Sequence, residues 1–165
     1  MKRLYLMRHA KSSWKNPDLK DHDRPLNKRG KKDAPLMGKI LKEKGVKPDI
    51  IISSSAKRAY KTAVKVAKEL DYEKENIITD KTLYLISFEK FLNYIKNLDD
   101  SYENVLIIGH NPGISDLFSY LTGKDSQMPT AAVGGLELKK DSWRDIEDGK
   151  IEILFFEYPK KYKER

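Results

Sequence analysis

The chain reads as an α/β protein: a three-layer α/β/α arrangement around one mostly parallel central sheet, with helices on both faces and one antiparallel edge strand. Three observations predict this. Short apolar runs bounded by turn residues alternate with stretches whose apolar residues recur at helical spacing. Such alternation builds parallel strands joined by crossover helices. The last two apolar runs break the rule, because only a polar segment around Asp148-Gly149 separates them, as in a hairpin. Neither a linker nor an internal repeat divides residues 1–165, and that length suits one core rather than two, so the whole chain is read as a single domain.

Arg3 to Arg8 is the first strand. Ser12 to Leu26 is an extended loop, with Pro17 and Pro25 as breakers. Asn27 caps a helix that runs to about Lys44 and stops at Gly45, with Met37, Ile40 and Leu41 as its apolar stripe. Pro35 inside it predicts a kink, or a restart capped by Asp33. Asp49 to Ser53 is a second buried strand and Ser54-Ser55 a turn. Lys57 to Leu70 carries apolar residues at 59, 63, 66, 67 and 70, a helical period. Asn76 to Thr79 is a short third strand. Phe88, Phe91, Leu92, Ile95 and Leu98 mark a helix with Ser87 as its cap and Glu89 in the first turn, where negative charge suits the helix dipole. Asn104 to Ile108 is the fourth strand, and a helix bearing Ile114, Leu117, Phe118 and Leu121 follows until Gly123. After a loop over Ser126 to Ala132, Val133 to Leu138 and Ile151 to Glu157 form the terminal pair. Gly134-Gly135 lacks the spacing of a dinucleotide fingerprint and reads as a bulge or a close backbone approach.

Composition excludes several classes. Hydrophobic residues at 39% and charged residues at 35% suit a folded soluble domain rather than a disordered chain. With no cysteine there is no disulfide, no thiol nucleophile and no zinc–thiolate site. No apolar stretch approaches the roughly 20 residues of a membrane helix. The run from Leu4 to Met7 is too short for a signal peptide, so a cytoplasmic protein is expected. The net charge of +8 favours anionic partners. Its lysines are spread along the chain and end in a basic tail of Lys160, Lys161, Lys163 and Arg165; they read as solvated faces rather than a nucleic-acid patch.

Chemistry-bearing residues gather at strand ends. The first strand ends in Arg8-His9, the second in Ser53-Ser54-Ser55 with Arg58 early in the next helix, and the fourth in Gly109-His110-Asn111. Parallel strands bring these ends to one sheet edge, where ligands bind in such folds. Arginine forks hold phosphate oxygens, and a helix start beyond Asn111 adds backbone donors. A neutral imidazole can attack phosphorus, and a second, protonated one can stabilise the transferring group. No metal or other cofactor is required, because arginine and histidine supply the positive charge. Arg58 has no acid at helical spacing; Asp49 and Glu69 are the nearest in sequence. His22, between Asp21 and Asp23, reads as a solvated loop residue, and Trp14 as packing over the loop, with lining the pocket mouth as the alternative. Arg24 either steers a phosphorylated partner or pins the loop.

These motifs carry a family resemblance. Arg8-His9-Ala10 resembles the Arg-His-Gly signature of the histidine phosphatase (phosphoglycerate mutase-like) superfamily. Ser53 to Ala63 is similar to its Ser-Ser-x-x-x-Arg-Ala-x-x-Thr-Ala segment, Gly109 to Gly113 to its second histidine motif, and Leu26, Asn27 and Gly30 to the segment between. Ala10, Lys11-Ser12-Ser13-Trp14 and Asp23-Arg24-Pro25-Leu26 are most similar to the small phosphohistidine phosphatases of the SixA type. The short spacing between Thr79 and Val105 leaves no room for a large substrate-covering insertion.

The resemblance implies a phosphoglycerate mutase-like fold and a metal-independent phosphatase acting on phosphohistidine in a protein. It makes His9 the nucleophile, Arg8 and Arg58 the phosphate clamps and His110 the second electrostatic partner. Ser12, Arg24 and Asn111 are further substrate-binding candidates. The superfamily's carboxylate proton donor has no convincing counterpart, and Glu89 is the nearest candidate. A phosphohistidine imidazole leaves more readily than an alkoxide, so a missing acid favours that substrate. The expected partners are a phosphorylated protein and phosphate, with no nucleic acid, no membrane and a monomeric chain. A phosphatase of small phosphorylated metabolites, and a non-catalytic anion- or nucleic-acid-binding module, are the alternatives.

Overall fold

A computed structural model describes residues 1–163; Arg165 of the basic tail lies outside them. Its strands are β1 (Lys2–Arg8), β2 (Ile50–Ser54), β3 (Ile78–Asp80), β4 (Asn104–Gly109), β5 (Val133–Leu138) and β6 (Ile151–Glu157). Its helices are α1 (Lys28–Glu43), α2 (Lys57–Glu69), α3 (Phe88–Lys96), α4 (Gly113–Thr122) and the short α5 (Lys160–Lys163). The strands form one sheet in the order β3-β2-β4-β1-β5-β6. β1 pairs with β4, β4 with β2, and β2 with β3, all parallel. One strand runs against the others, as expected, but its place differs. It is β5, paired antiparallel to both β1 and β6, and β6 forms the edge. A hairpin appended to β1 reverses direction twice, so the reversed strand sits one place inside.

Alternating side chains divide the core between the two faces. Tyr5, Met7, Ile51, Leu106 and Ile108 meet Met37, Leu41, Ala63 and Val66 of α1 and α2. Leu4, Leu6, Ile52, Val105 and Ile107 meet Phe91, Ile95, Leu117 and Phe118 of α3 and α4. The chain therefore lays helices on one face while it travels out to β3, then on the other as it returns through β4. β1 and β4 are neighbours whose following helices lie on opposite faces. That is the switch point where open α/β sheets leave a crevice.

Two local features set up the site. Asn27 accepts a hydrogen bond from Gly30 N (2.8 Å), which caps α1 as expected. Gly30 packs on the loop after β1 so closely that a Cβ there would lie 2.1 Å from the Lys11 carbonyl oxygen. α1 does not restart at Asp33. It runs through Pro35 as one helix, and the buried Asp33 side chain makes an ion pair with Lys163, with Arg29 Nε 3.7 Å away, instead of capping.

Gly134-Gly135 is both things the sequence suggested. The β5–β6 register shifts between Gly135 and Leu136, and a Cβ at Gly134 would lie 2.2 Å from the buried Phe118 ring. Gly134→Ala therefore overpacks a rigid core. A loss of about 1–3 kcal/mol is expected, read as a lower denaturant midpoint at unchanged slope.

Candidate active site

The register places three strand ends at one level. Arg8 is opposite Gly109, and Ser53 is opposite Ile108 on the other side of β4. His9 then donates its backbone N–H to the Gly109 carbonyl (3.1 Å), so His9 and His110 leave adjacent strands side by side. Their ring centroids are 5.2 Å apart. Both rings are buried, as are Ser12, Arg24 and Arg58. A cleft of about 200 Å³ opens among Arg8, His9, Ser12, Arg24, Arg58, His110 and Asn111, with Lys11, Trp14, Leu85 and Thr130 completing its walls. Every expected catalytic and substrate-binding residue except Glu89 lines it.

His9 is held in one tautomer. Its Nδ1 lies 2.7 Å from the Ala10 carbonyl, to which only a protonated nitrogen can donate. Nε2 is then the lone-pair nitrogen, and Arg58 Nε faces it at 3.4 Å. Thr62 fixes the register of these two groups: its Oγ1 accepts from Ala10 N (2.9 Å) and donates to the Arg58 carbonyl (2.8 Å). The threonine and arginine of the second motif thus act on the histidine of the first.

His110 Nε2 is 2.7 Å from Ser54 Oγ. That oxygen also accepts from Ala56 N (3.2 Å), and Nε2 is the one acceptor its proton meets among the described residues, so the hydroxyl donates to Nε2 and the ring proton of His110 sits on Nδ1. His110 Nδ1 and Arg8 Nε are buried without a hydrogen-bond partner. Arg8 also gives an Nη1 hydrogen to the Met128 carbonyl (3.1 Å), and Asn111 Nδ2 donates to the same oxygen (3.1 Å). The first turn of α4 lies outside the cleft walls, against the Ile86 carbonyl, so the expected helix-start donors are not part of the lining.

The loop between β1 and α1 supplies what the sequence left unassigned. Asp21 is the acid that pairs with Arg58: Nη2 donates to Oδ2 (2.9 Å) and Nη1 to the Asp21 carbonyl (2.6 Å). Arg24 donates to Asp21 Oδ1 (2.9 Å), to the Ser13 carbonyl (3.1 Å) and to Ser12 Oγ, and the Tyr84 hydroxyl donates to Asp21 Oδ2. Arg24 thus pins the loop and lines the cleft at once. Its guanidinium carbon lies 3.2 Å from the Trp14 ring centroid, and Trp14 is 72% exposed, so this ring caps the rim rather than packing beneath it. His22 is half-buried, with Nε2 2.8 Å from Ser55 Oγ and its ring edge-on to Tyr84. Glu89 is exposed on the first turn of α3 and does not reach the cleft.

Comparison with known proteins agrees with this geometry. Residues 4–93 match the model of the histidine phosphatase superfamily, branch 1. The chain belongs to that superfamily. A chloroplastic Arabidopsis thaliana protein is 31% identical over 87% of this chain and 70% of its own length. A Mycobacterium tuberculosis protein is 28% identical over 93% of this chain and all of its own. A candidate phosphohistidine phosphatase SixA from Agrobacterium tumefaciens superposes with a TM-score of 0.82 at 25% identity, over 96% of this chain and 98% of that one. The protein histidine phosphatase SixA complexed with tungstate gives the same TM-score at 22% identity, over 98% and 99%. The fold is the phosphoglycerate mutase-like one of this superfamily, of the SixA type. No helix of the described residues is long and apolar enough to cross a membrane.

The electrostatics of this histidine phosphatase site differ from the sequence reading in one respect. Burial, then His110, Arg58 and Arg8, lower the pKa of His9 to about 3. Burial and Arg58 lower His110 to about 3 as well. Both rings are therefore neutral at pH 7, and the second imidazole is not the resident cation that was expected. The guanidinium groups are.

Imidazole NMR signals of His9 and His110 should accordingly stay in the neutral form from pH 8 down to pH 5. The unfolded chain takes up protons at both rings as pH falls through about 6.5, and the folded one does not. Stability should therefore be full above that pH and decline towards pH 3. An imidazole titrating near pH 6.5 at either position contradicts this.

Proposed function

We propose that the chain is a protein phosphohistidine phosphatase working through a phosphorylated His9, without a metal. One observation carries the reading: a small cationic cleft with no carboxylate among its lining residues. Three guanidinium groups there attract a phosphoryl group and repel a metal cation. The nearby carboxylate, Asp21, is held well below the usual range by the Tyr84 hydroxyl, then Arg58 and Arg24, so it stays ionised and has no proton to give. A volume of about 200 Å³ is below the several hundred of typical metabolite pockets. It admits a phosphoryl group and leaves the rest of the substrate at the rim.

The steps follow from the atoms present. His9 Nε2 attacks phosphorus in line, and the P–N bond to the substrate imidazole breaks. The electron pair goes to that nitrogen, and a proton already on the other ring nitrogen makes the leaving group neutral. Arg58 and the unpartnered Arg8 Nε and His110 Nδ1 take the phosphoryl oxygens. Ser12, whose oxygen accepts from Arg24, has its own proton free to donate. Water then attacks phosphorus on His9: the P–Nε2 bond breaks with its electron pair returning to Nε2, the water's protons leave on the released phosphate, and the ring keeps its Nδ1 proton as at the start. The tungstate held by a SixA structure, an oxyanion of phosphate shape, supports an oxyanion site of this kind. The absence of a positioned acid favours a phosphoramidate over an alkyl phosphate.

The test is relative turnover of a phosphohistidine protein, sugar phosphates and p-nitrophenyl phosphate. The P–N substrate should be preferred by at least about 100-fold in kcat/KM, the value of one general acid withheld from the esters. Equal or better turnover of small esters overturns the substrate assignment.

A further inference from the structure

A second, larger groove adjoins the cleft. It has a volume of about 1180 Å³ and is lined by Ser13, Leu19 and Pro25 on the loop side. Lys15, Lys28, Arg29, Lys31, Lys32 and Lys163 supply its charge, and no aspartate or glutamate lines it. Lys163 is neutralised by the buried Asp33, which Arg29 also approaches. Lys15, Lys28, Lys31 and Lys32 are exposed and have no carboxylate partner among the described residues. The fold thus brings part of the charge that is spread along the sequence together in this groove.

The placement is costly to the free protein. Lys28 and Arg29 open α1, and its first turn holds no acid. Cations at a helix N-terminus oppose the helix dipole, and like charges one turn apart repel. Arg29 is offset by Asp33, but Lys28, Lys31 and Lys32 break the rule with no ion pair among the described residues, and rules broken in this way point to a function. The groove also shares walls with the catalytic cleft: the Ser12–Lys15 loop borders both, and Arg29 Nη2 donates to Thr130 Oγ1 (3.3 Å), which lines the cleft.

We propose that this groove docks an acidic stretch of the phosphoprotein whose phosphohistidine enters the cleft. The proposal rests on the phosphohistidine reading above and adds the partner's chemistry. The cleft is too small to select a protein by more than its phosphoryl group. The groove supplies selection through carboxylates seated on unpaired lysines, which raises the encounter rate and fixes which side of the substrate faces α1.

The probes are two short phosphohistidine peptides, identical except that one carries a block of glutamates beside the phosphohistidine and the other glutamines. At low salt the wild type should prefer the glutamate peptide by at least about tenfold in kcat/KM, and added salt should erase the preference. In Lys28→Gln/Lys31→Gln/Lys32→Gln the ratio should fall to about one, with kcat on the glutamine peptide unchanged and Tm held or raised. Lys15→Gln, from the opposite wall, should move the ratio the same way. A wild type that hydrolyses both peptides equally, or a ratio unchanged in the variants, overturns the docking surface and leaves the phosphatase reading intact. A wild type that hydrolyses neither peptide but turns over phosphate esters overturns the reaction itself. Loss of duplex RNA binding in the triple variant, with peptide preference unchanged, overturns the acidic-protein partner in favour of nucleic acid.

Discussion

His9→Ala is expected to lower kcat on a phosphohistidine protein by at least about 10,000-fold while the chain stays folded, as removal of an enzyme nucleophile does elsewhere. The ring makes two hydrogen bonds, one to the Ala10 carbonyl and a long one from Arg58 Nε (3.4 Å), and its burial beside Arg8 and Arg58 does little for the fold. Tm should therefore shift by only a few degrees, the size of about 1 kcal/mol in a domain of this length. Arg8, Arg58 and Arg24 remain in the variant, so inorganic phosphate should still compete for the cleft. Trapping separates this from simple loss of binding. Wild type quenched during turnover of labelled phosphohistidine should carry acid-labile label on His9, and the variant none. Label on His110 instead, or full activity in His9→Ala, would refute the nucleophile assignment.

Much of this site was legible because its residues sit at the ends of regular elements. Strand periodicity located Arg8-His9 and Gly109-His110, and parallel pairing brings such ends together whatever the intervening chain does. Asn27, Ser87 and Gly123 were legible for a local reason, since each satisfies or relieves a helix terminus by itself. The partners that hold these groups were not legible. Asp21 and Arg58 are far apart in sequence, and Asp21 lies in a loop where no periodicity says which way a carboxylate points. Tyr84 follows a single 3₁₀ turn, and nothing in its neighbours distinguishes it from a core tyrosine. The stacking of Arg24 on Trp14 needs a loop conformation, fixed in turn by the tight contact of Lys11 with Gly30. Glu89 fits two roles in sequence, first-turn charge and proton donor. Only the direction of α3, which turns it to solvent, separates them.

Arg58 is where catalysis and architecture meet, and its variants should show both. Arg58→Ala is expected to lower kcat/KM by about 1,000-fold, at the upper end for removing one preorganised donor to a developing oxyanion. The group lost is more than a charge. Nε faces His9 while the two Nη groups grip Asp21, so the fork that meets substrate is aimed by the carboxylate behind it. Arg58→Lys keeps the charge but cannot make both sets of contacts, and it should lose nearly as much activity as alanine. Asp21→Asn tests the aiming directly. It keeps the shape and weakens the grip, so kcat should fall further than phosphate affinity does. Stability should fall by about 1–2 kcal/mol in Arg58→Ala, because Asp21 keeps Arg24 and Tyr84 as partners and is not left bare. Steady-state kinetics, phosphate inhibition and urea unfolding together make the check. Activity retained in Arg58→Lys would mean that charge alone suffices, and the fork geometry set by Asp21 would then carry no catalytic weight.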